Sequence, residues 1–277
     1  MATLRVGPLQ LEFGRRTYLM GILNVTPDSF SADGVMDKDA AVARGKLLCV
    51  EGADILDIGG ESTRPGAQPV SLEEELRRVI PVVGRLVAEL SAPVSVDTRK
   101  AEVARQALQA GAAMINDVSA LRADPEMAAV VAEAQVPVVL MHMGTLRLME
   151  NPADGDIVAE VGQFLAERIE AAVRAGIARD RILIDPGFGY GKTVKQNLEL
   201  LRRLGELRGL GQPISISTSR KGTIGKVLGN LPVEERLEGT AATIAVAIVN
   251  GVDIVRVHDV RAMARVARMT DAIVRDA

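Results

Sequence analysis

Tryptophan is absent from this chain of 277 residues, and two tyrosines and four phenylalanines are its whole aromatic complement. Hydrophobic residues still make up 48% of it, so a core must be built from Val, Leu, Ile, Ala and Met. With so few rings to stack bases, and a formal charge of -3 that gives no basic field, a nucleic-acid partner is not expected. Cys49 is the single cysteine, which excludes a disulfide scaffold and a cysteine-rich metal site and favours a cytoplasmic location. The two histidines, His142 and His258, stand far apart and neither lies in an HExxH pattern, so zinc hydrolase chemistry is not expected. The most apolar stretch, residues 241–249, is too short to cross a membrane. Residues 1–13, interrupted by Arg5 and Gly7-Pro8, do not read as a signal peptide.

What is present is a repeated sentence of short apolar run, polar loop and helical period. Strands are predicted at residues 18–23, 54–58, 94–97, 113–117, 137–141, 182–185, 214–218 and 253–257. Helices follow at residues 39–51, 72–90, 101–110, 125–134, 157–175, 196–207, from after Pro232 to 249, and 260–273. Eight such units are the number that closes a parallel barrel. The fold class is therefore α/β, a single TIM (β/α)8 barrel domain over residues 1–277. A short N-terminal β-hairpin is possible within residues 1–17, turning at Gly7-Pro8. A doubly wound open sheet is the rival, but it does not require eight units, and its glycine-rich dinucleotide loop is missing after the first strand. Glycines at 52, 111 and 251 stand between a helix and the next strand, as bottom-face turns require.

Polar residues gather at the other ends of the strands. Asn24, Asp57, Asp97, Asn116, His142, Asp185, Lys221 and His258 all lie at or just beyond the C-terminal ends, which converge over one mouth in this architecture. Asp97, Asn116 and Asp185 suit a flat heterocycle rich in amide and amine groups, because a carboxylate accepts two adjacent donors and an asparagine both donates and accepts. An internal pair of Asp97 with Arg99 is the plain alternative. Lys221, Arg64, Arg256 and His258 supply the donors an anion requires; Arg220 could join them or face solvent. Lys221 could instead form a Schiff base. Asn24 offers one oxygen suited to magnesium.

Residues 182–192, ILIDPGFGYGK, hold three glycines at alternate positions before Lys192. A Walker A loop would need glycine at Pro186, and a dinucleotide fingerprint from Gly187 would need glycine at Lys192. Neither motif is met.

Taken together, MGILNVTPDSFSADG at 20–34, DILDIGGESTRPGA at 54–67, SVDTRKAEVARQAL at 95–108, INDVSA at 115–120, LMHM at 140–143, IDPGFGYGK at 184–192, SRKGTIG at 219–225 and RVHDV at 256–260 resemble the dihydropteroate synthases, the sulfonamide-target enzymes of folate biosynthesis. The resemblance implies joining of 6-hydroxymethyl-7,8-dihydropterin pyrophosphate to 4-aminobenzoate, with Mg2+ as cofactor and a homodimer built on the late helices. It also implies roles. Asp97, Asn116, Asp185 and Lys221 would bind the pterin, with Met141 and Tyr190 at its faces. Asn24, Arg64, Arg256 and His258 would bind pyrophosphate, Asn24 also the metal. Thr63, Arg64, Pro65 and Ser219, with the stem of Lys221, would border the aminobenzoate. Asn24, Arg64, Lys221, Arg256 and His258 would form the catalytic set. Loops 25–34 and 60–67 would close over the substrates. The chain departs from the family pattern in two places: the family's MHMQG is shortened here to Met143-Gly144, and its GFGFGK is GFGYGK. A pterin-dependent methyltransferase would not explain GESTRPGA and SRKGTIG together, and a non-enzymatic pterin-binding protein would not need the leaving-group clamp of Asn24, Arg64, Lys221, Arg256 and His258.

Overall fold

The structure is a computed structural model, and it describes residues 3–26, 37–62, 68–144 and 155–275. β1 (Thr3–Val6) and β2 (Leu9–Glu12) form the expected antiparallel hairpin about Gly7-Pro8. The next eight strands are β3 (Tyr18–Asn24), β4 (Ile55–Gly59), β5 (Val94–Asp97), β6 (Met114–Asp117), β7 (Val138–Met141), β8 (Ile182–Asp185), β9 (Ser215–Ile216) and β10 (Ile254–Val257). They pair only in parallel, in the order β8-β7-β6-β5-β4-β3-β10-β9. A bridge between Ile184 and Ile214 joins the two ends, with the Ile184 N–H donating to the Pro213 carbonyl at 3.0 Å. The result is a nearly closed barrel.

Helices cover each strand: α1 (Lys38–Glu51), α2 (Leu72–Glu89), α3 (Ala101–Gln109), α4 (Met127–Ala134), α5 (Ile157–Arg174), α6 (Val194–Arg202), α7 (Gly222–Val227), α8 (Leu237–Val249) and α9 (Val260–Val274). Three predicted spans differ. The helix expected over 196–207 stops at Arg202, and Leu204–Leu210 continues as a 3-10 turn; Gly205 and Gly209 weaken a helical backbone there, while Leu204 and Leu207 stay buried. The strand expected over 214–218 keeps only Ser215–Ile216 in the ladder, because Ser217 donates its hydroxyl to the Arg256 carbonyl and the Thr218 carbonyl accepts from the Lys221 N–H. The segment 219–225, for which no helix is predicted, holds the start of α7, with Lys221 at its N-cap.

Strand direction divides the core in two. Leu19, Leu23, Leu56, Ile58, Val94, Val96, Val138, Leu140, Ile182, Ile184, Val255 and Val257 face outward and pack with the helices in one large cluster. Met20, Ile55, Met114, Val139, Leu183 and Ile254 face inward, where Leu4, Val6, Leu11 and Phe13 of the hairpin region pack with them. The hairpin therefore plugs the lower end of the barrel.

Candidate active site

The inward series changes polarity toward the C-terminal ends of the same strands. Two residues above Ile55 stands Asp57, and Asn116 stands two above Met114; Asp185 follows Leu183 and Arg256 follows Ile254 in the same way. Asp57 pairs in register with Ser95, Asp97 with Asn116, and Met141 with Asp185. Alternation, invisible in strands buried on both faces, thus aims these side chains at one space.

Their contacts form a network. The Arg256 Nε donates to Asp57 Oδ2 at 2.5 Å, its Nη2 donates to Asp97 Oδ2 at 2.7 Å, and Asn116 Nδ2 donates to Asp57 Oδ2 at 3.1 Å. The internal Asp97–Arg99 alternative is overturned, since Arg99 pairs instead with Glu61 at 2.5 Å. Lys100 bridges Glu61 and the buried Glu75, whose Oε1 accepts from the Thr98 hydroxyl. Asp57 Oδ1, Asp97 Oδ1 and Ser95 Oγ are buried without hydrogen-bond partners among the described residues. Unpaired buried acceptors are costly, so Asp97 Oδ1 is open to a donor brought by a ligand.

Burial raises the Asp97 carboxyl to about 7, with the Asp57 charge adding repulsion and Arg256 opposing both. Burial likewise raises Asp185 to about 6, against the Gly187 N–H, which donates to its Oδ1 at 2.7 Å, and the nearby charges of Lys221 and Arg256. For Arg256 burial works against the charge, but Asp57 and Asp97 outweigh it and hold the guanidinium protonated.

The turn after β8 answers the glycine pattern. Gly187 and Gly191 adopt φ of +70° and +59°, and a Cβ on either would overlap the carbonyl oxygen of His142 or of Gly144. Only glycine lets this turn lie against the loop after β7. Tyr190 packs with Met141 and Val118, and Lys221 Nζ sits 3.8 Å above its ring, a cation–π arrangement. Thr193 then opens α6 with a reciprocal capping box to Gln196.

Four further residues sit at the rim. Asn24 ends β3 beside Gly59, half-buried. His258 Nδ1 lies 3.0 Å from Ser219 Oγ, and the same oxygen accepts from the His258 N–H at 3.2 Å, so Ser219 is tied to the histidine. Arg220, left between anion and solvent, pairs with Asp259 at 2.9 and 2.5 Å.

His142 is a correction to the ring of mouth residues. It has the outward parity, one residue past Met141, and its ring packs edge-on against Phe164 of α5 at 4.8 Å. Burial, with Lys192 nearby, lowers its pKa to about 3, so it is a neutral packing residue. Asp57 was placed in the ring without a role; its links to Arg256 and Asn116 required the tertiary fold. Thr63, Arg64 and Pro65 lie outside the described residues, as do residues 27–34 and 63–67 of the two loops expected to close, and residues 145–154 after the shortened loop.

An inward rim of carboxylates, an amide and cations above an apolar plug defines a barrel enzyme for a polar heterocycle, and the family described as "Pterin binding enzyme" matches residues 20–258. The chain is 49% identical over 273 residues to the dihydropteroate synthase of Synechocystis sp., covering 98% of this chain and 94% of that protein. The structure of Xanthomonas albilineans dihydropteroate synthase with 4-aminobenzoic acid matches with a TM-score of 0.91 at 50% identity, over 99% of this chain and 98% of that one. The same protein in complex with 7,8-dihydropteroate gives 0.89 at 48% identity, over 98% of each chain. This chain belongs to the dihydropteroate synthase family.

Proposed function

We infer that this protein is a transferase that condenses 6-hydroxymethyl-7,8-dihydropterin pyrophosphate with 4-aminobenzoate, giving 7,8-dihydropteroate and pyrophosphate in folate biosynthesis. The observation that carries the reading is the convergence of Asp57, Asp97, Asn116 and Asp185 on the upper barrel interior, in a chain half identical to an enzyme solved with 4-aminobenzoic acid.

In the reaction the bond between the pterin methylene carbon and the pyrophosphate oxygen breaks. The electron-rich ring disperses the positive charge left on that carbon. The arylamine nitrogen then forms the new bond and gives up a proton. Asp97, Asn116 and Asp185 position the ring through its amide and amine donors, with Met141, Tyr190 and Lys221 along its faces. Arg256 and His258, with Arg64 from the loop after β4, offset the charge of the leaving group, an effect that grows toward the transition state. Thr63, Pro65, Ser219 and the Lys221 stem border the aminobenzoate.

Among the described residues no group of three or more His, Cys, Asp or Glu side chains could hold a metal. Asn24, at the end of β3, would offer one protein oxygen to a Mg2+ ion held mostly by substrate phosphate oxygens. When bound, such an ion neutralises charge on the leaving group. A homodimer belongs to the same reading, supported by apolar side chains exposed on the late helices: Val246 and Val249 on α8, Met269 and Ile273 on α9. A cytoplasmic location is supported by the lone, free Cys49; no helix among the described residues is long and apolar enough to cross a membrane.

The test is to supply both substrates with Mg2+ and follow dihydropteroate and pyrophosphate together. Equimolar appearance of both, dependent on both substrates, is expected; release of pyrophosphate without the condensation product would overturn the reading.

A further inference from the structure

Lys192 closes the glycine-rich turn after β8 and is almost fully buried. It is not offered to an anion. An ammonium group has three donors, and Nζ directs them to the carbonyl oxygens of Gly187 at 2.9 Å, Tyr190 at 3.2 Å and His142 at 3.3 Å. Two of these oxygens belong to the turn itself and the third to the end of β7. Among the described residues no carboxylate forms an ion pair with it. The backbone around it is fixed from the other side by Asn197 of α6, whose Oδ1 accepts from the Gly189 N–H at 2.7 Å and whose Nδ2 donates to the Lys192 carbonyl at 3.2 Å.

We propose that Lys192 is a positioning residue for pterin recognition: by gathering these three carbonyls it holds the Gly187 N–H on Asp185 and the Tyr190 ring beneath Lys221. The proposal rests on the function inferred above and deepens it. A buried cation satisfied only by carbonyls supplies two things at once. It fixes a turn that three glycines would otherwise leave loose, and it places a positive charge near Asp185 without occupying a carboxylate oxygen that the ring needs.

The second effect separates positioning from mere structure. Asp185 faces Lys221 from the loop after β9, Arg256 from β10 and Lys192 from its own turn. Lys192 in turn faces Asp185, Glu160 of α5 and Lys221. Burial has pushed Lys192 down to about 7 and Asp185 up to about 6. Ionised Asp97 and Asp185 accept the donors of the ring, so affinity is present at high pH and lost as pH falls, first through about 7 at Asp97 and then through about 6 at Asp185; Lys192 acts on the second step. Removing the Lys192 charge raises the Asp185 pKa further, and the acid limb of binding moves to higher pH.

The experiment is calorimetric titration of the full chain with 6-hydroxymethylpterin from about pH 5 to about pH 8.5, comparing wild type, Lys192→Met and Lys192→Arg. Lys192→Met is expected to weaken binding about tenfold or more near pH 7, where Asp185 is ionised and Lys192 still carries charge, and to move the acid limb upward. A folded Lys192→Met protein with wild-type affinity and an unmoved acid limb overturns the proposal. Should Lys192→Met not fold, Lys192→Arg decides. It keeps the charge, but its planar fork cannot meet three carbonyls arranged around one point, so weaker binding with an unmoved acid limb supports the proposal and unchanged affinity overturns it. Wild type that fails to bind 6-hydroxymethylpterin overturns the functional reading itself, and the Lys192 role with it.

Discussion

The lower and upper halves of the barrel interior are built from the same strands, with the same inward parity, and have opposite chemistry. Below, Met20, Ile55, Met114, Val139, Leu183 and Ile254 meet the hairpin in an apolar cluster. Above, Asp57, Asn116, Asp185 and Arg256 stand two residues further along those strands, joined by Asp97 from β5, and two carboxylate oxygens, Asp57 Oδ1 and Asp97 Oδ1, lack partners among the described residues. The lower half stabilises the fold, and the upper half holds charges that water would solvate better. Stability and recognition are thus separated along the barrel axis.

The largest expected effect tests the lower half. Leu11→Ala in the plug should lower the unfolding free energy by about 2–5 kcal/mol while leaving pterin affinity unchanged, as read by chemical denaturation and titration calorimetry. Parallel loss of affinity would show that the two halves are coupled. Conversely, Asp185→Asn should keep or raise the melting temperature, because it removes a buried charge, yet weaken pterin binding by roughly 10- to 100-fold, the loss expected for hydrogen bonds to a charged group. A melting temperature that falls with affinity would place Asp185 in the scaffold.

A pH comparison sharpens the contrast. Asp97 and Asp185 have folded-state pKa values raised to about 7 and about 6. A carboxyl raised on folding contributes stability that is full below its unfolded value and is lost as pH rises through the folded value. Their share of the ligand-free protein's stability should therefore grow as pH falls from about 7.5 toward about 5, while the stabilisation added by a pterin shrinks. Thermal melts with and without 6-hydroxymethylpterin across that range check this, and a ligand-induced shift that grows with acidity would contradict it. The smallest effect is at the rim. Ser219→Ala removes the hydroxyl that contacts His258 and should lower kcat/KM a few-fold, about 0.5–1.5 kcal/mol for one neutral hydrogen bond, with pyrophosphate product inhibition weakened and pterin binding intact.

How far the sequence could be read follows from its periodicities. Eight units were legible because each strand is an apolar run bounded by turn residues, and the hairpin because Gly7-Pro8 interrupts two short alternating runs. The polar rim was legible for the same reason: Asn24, Asp97, Asn116 and Asp185 stand where apolar runs end. His142 stands there too, and it points the other way. Its parity relative to Val139 and Met141 was in the sequence, but the inward face could not be told from the outward one until the plug and the helix layer were both in place. Lys192 looked like part of a phosphate loop that failed its pattern; what it does depends on carbonyls 2, 5 and 50 residues away.

The sequence by itself determined the number and order of strand and helix units, the apolar surface that packs them and the residue types available at the mouth, because these depend on local spacing along the chain. Only the tertiary structure decided which face of each strand looks inward, that Arg256 lies between Asp57 and Asp97 rather than on the surface, and that Lys192 serves a turn rather than an anion. Those outcomes depend on closing the sheet, which brings Arg256 within hydrogen-bonding distance of Asp57, 199 positions away, and sets the burial that fixes their charge.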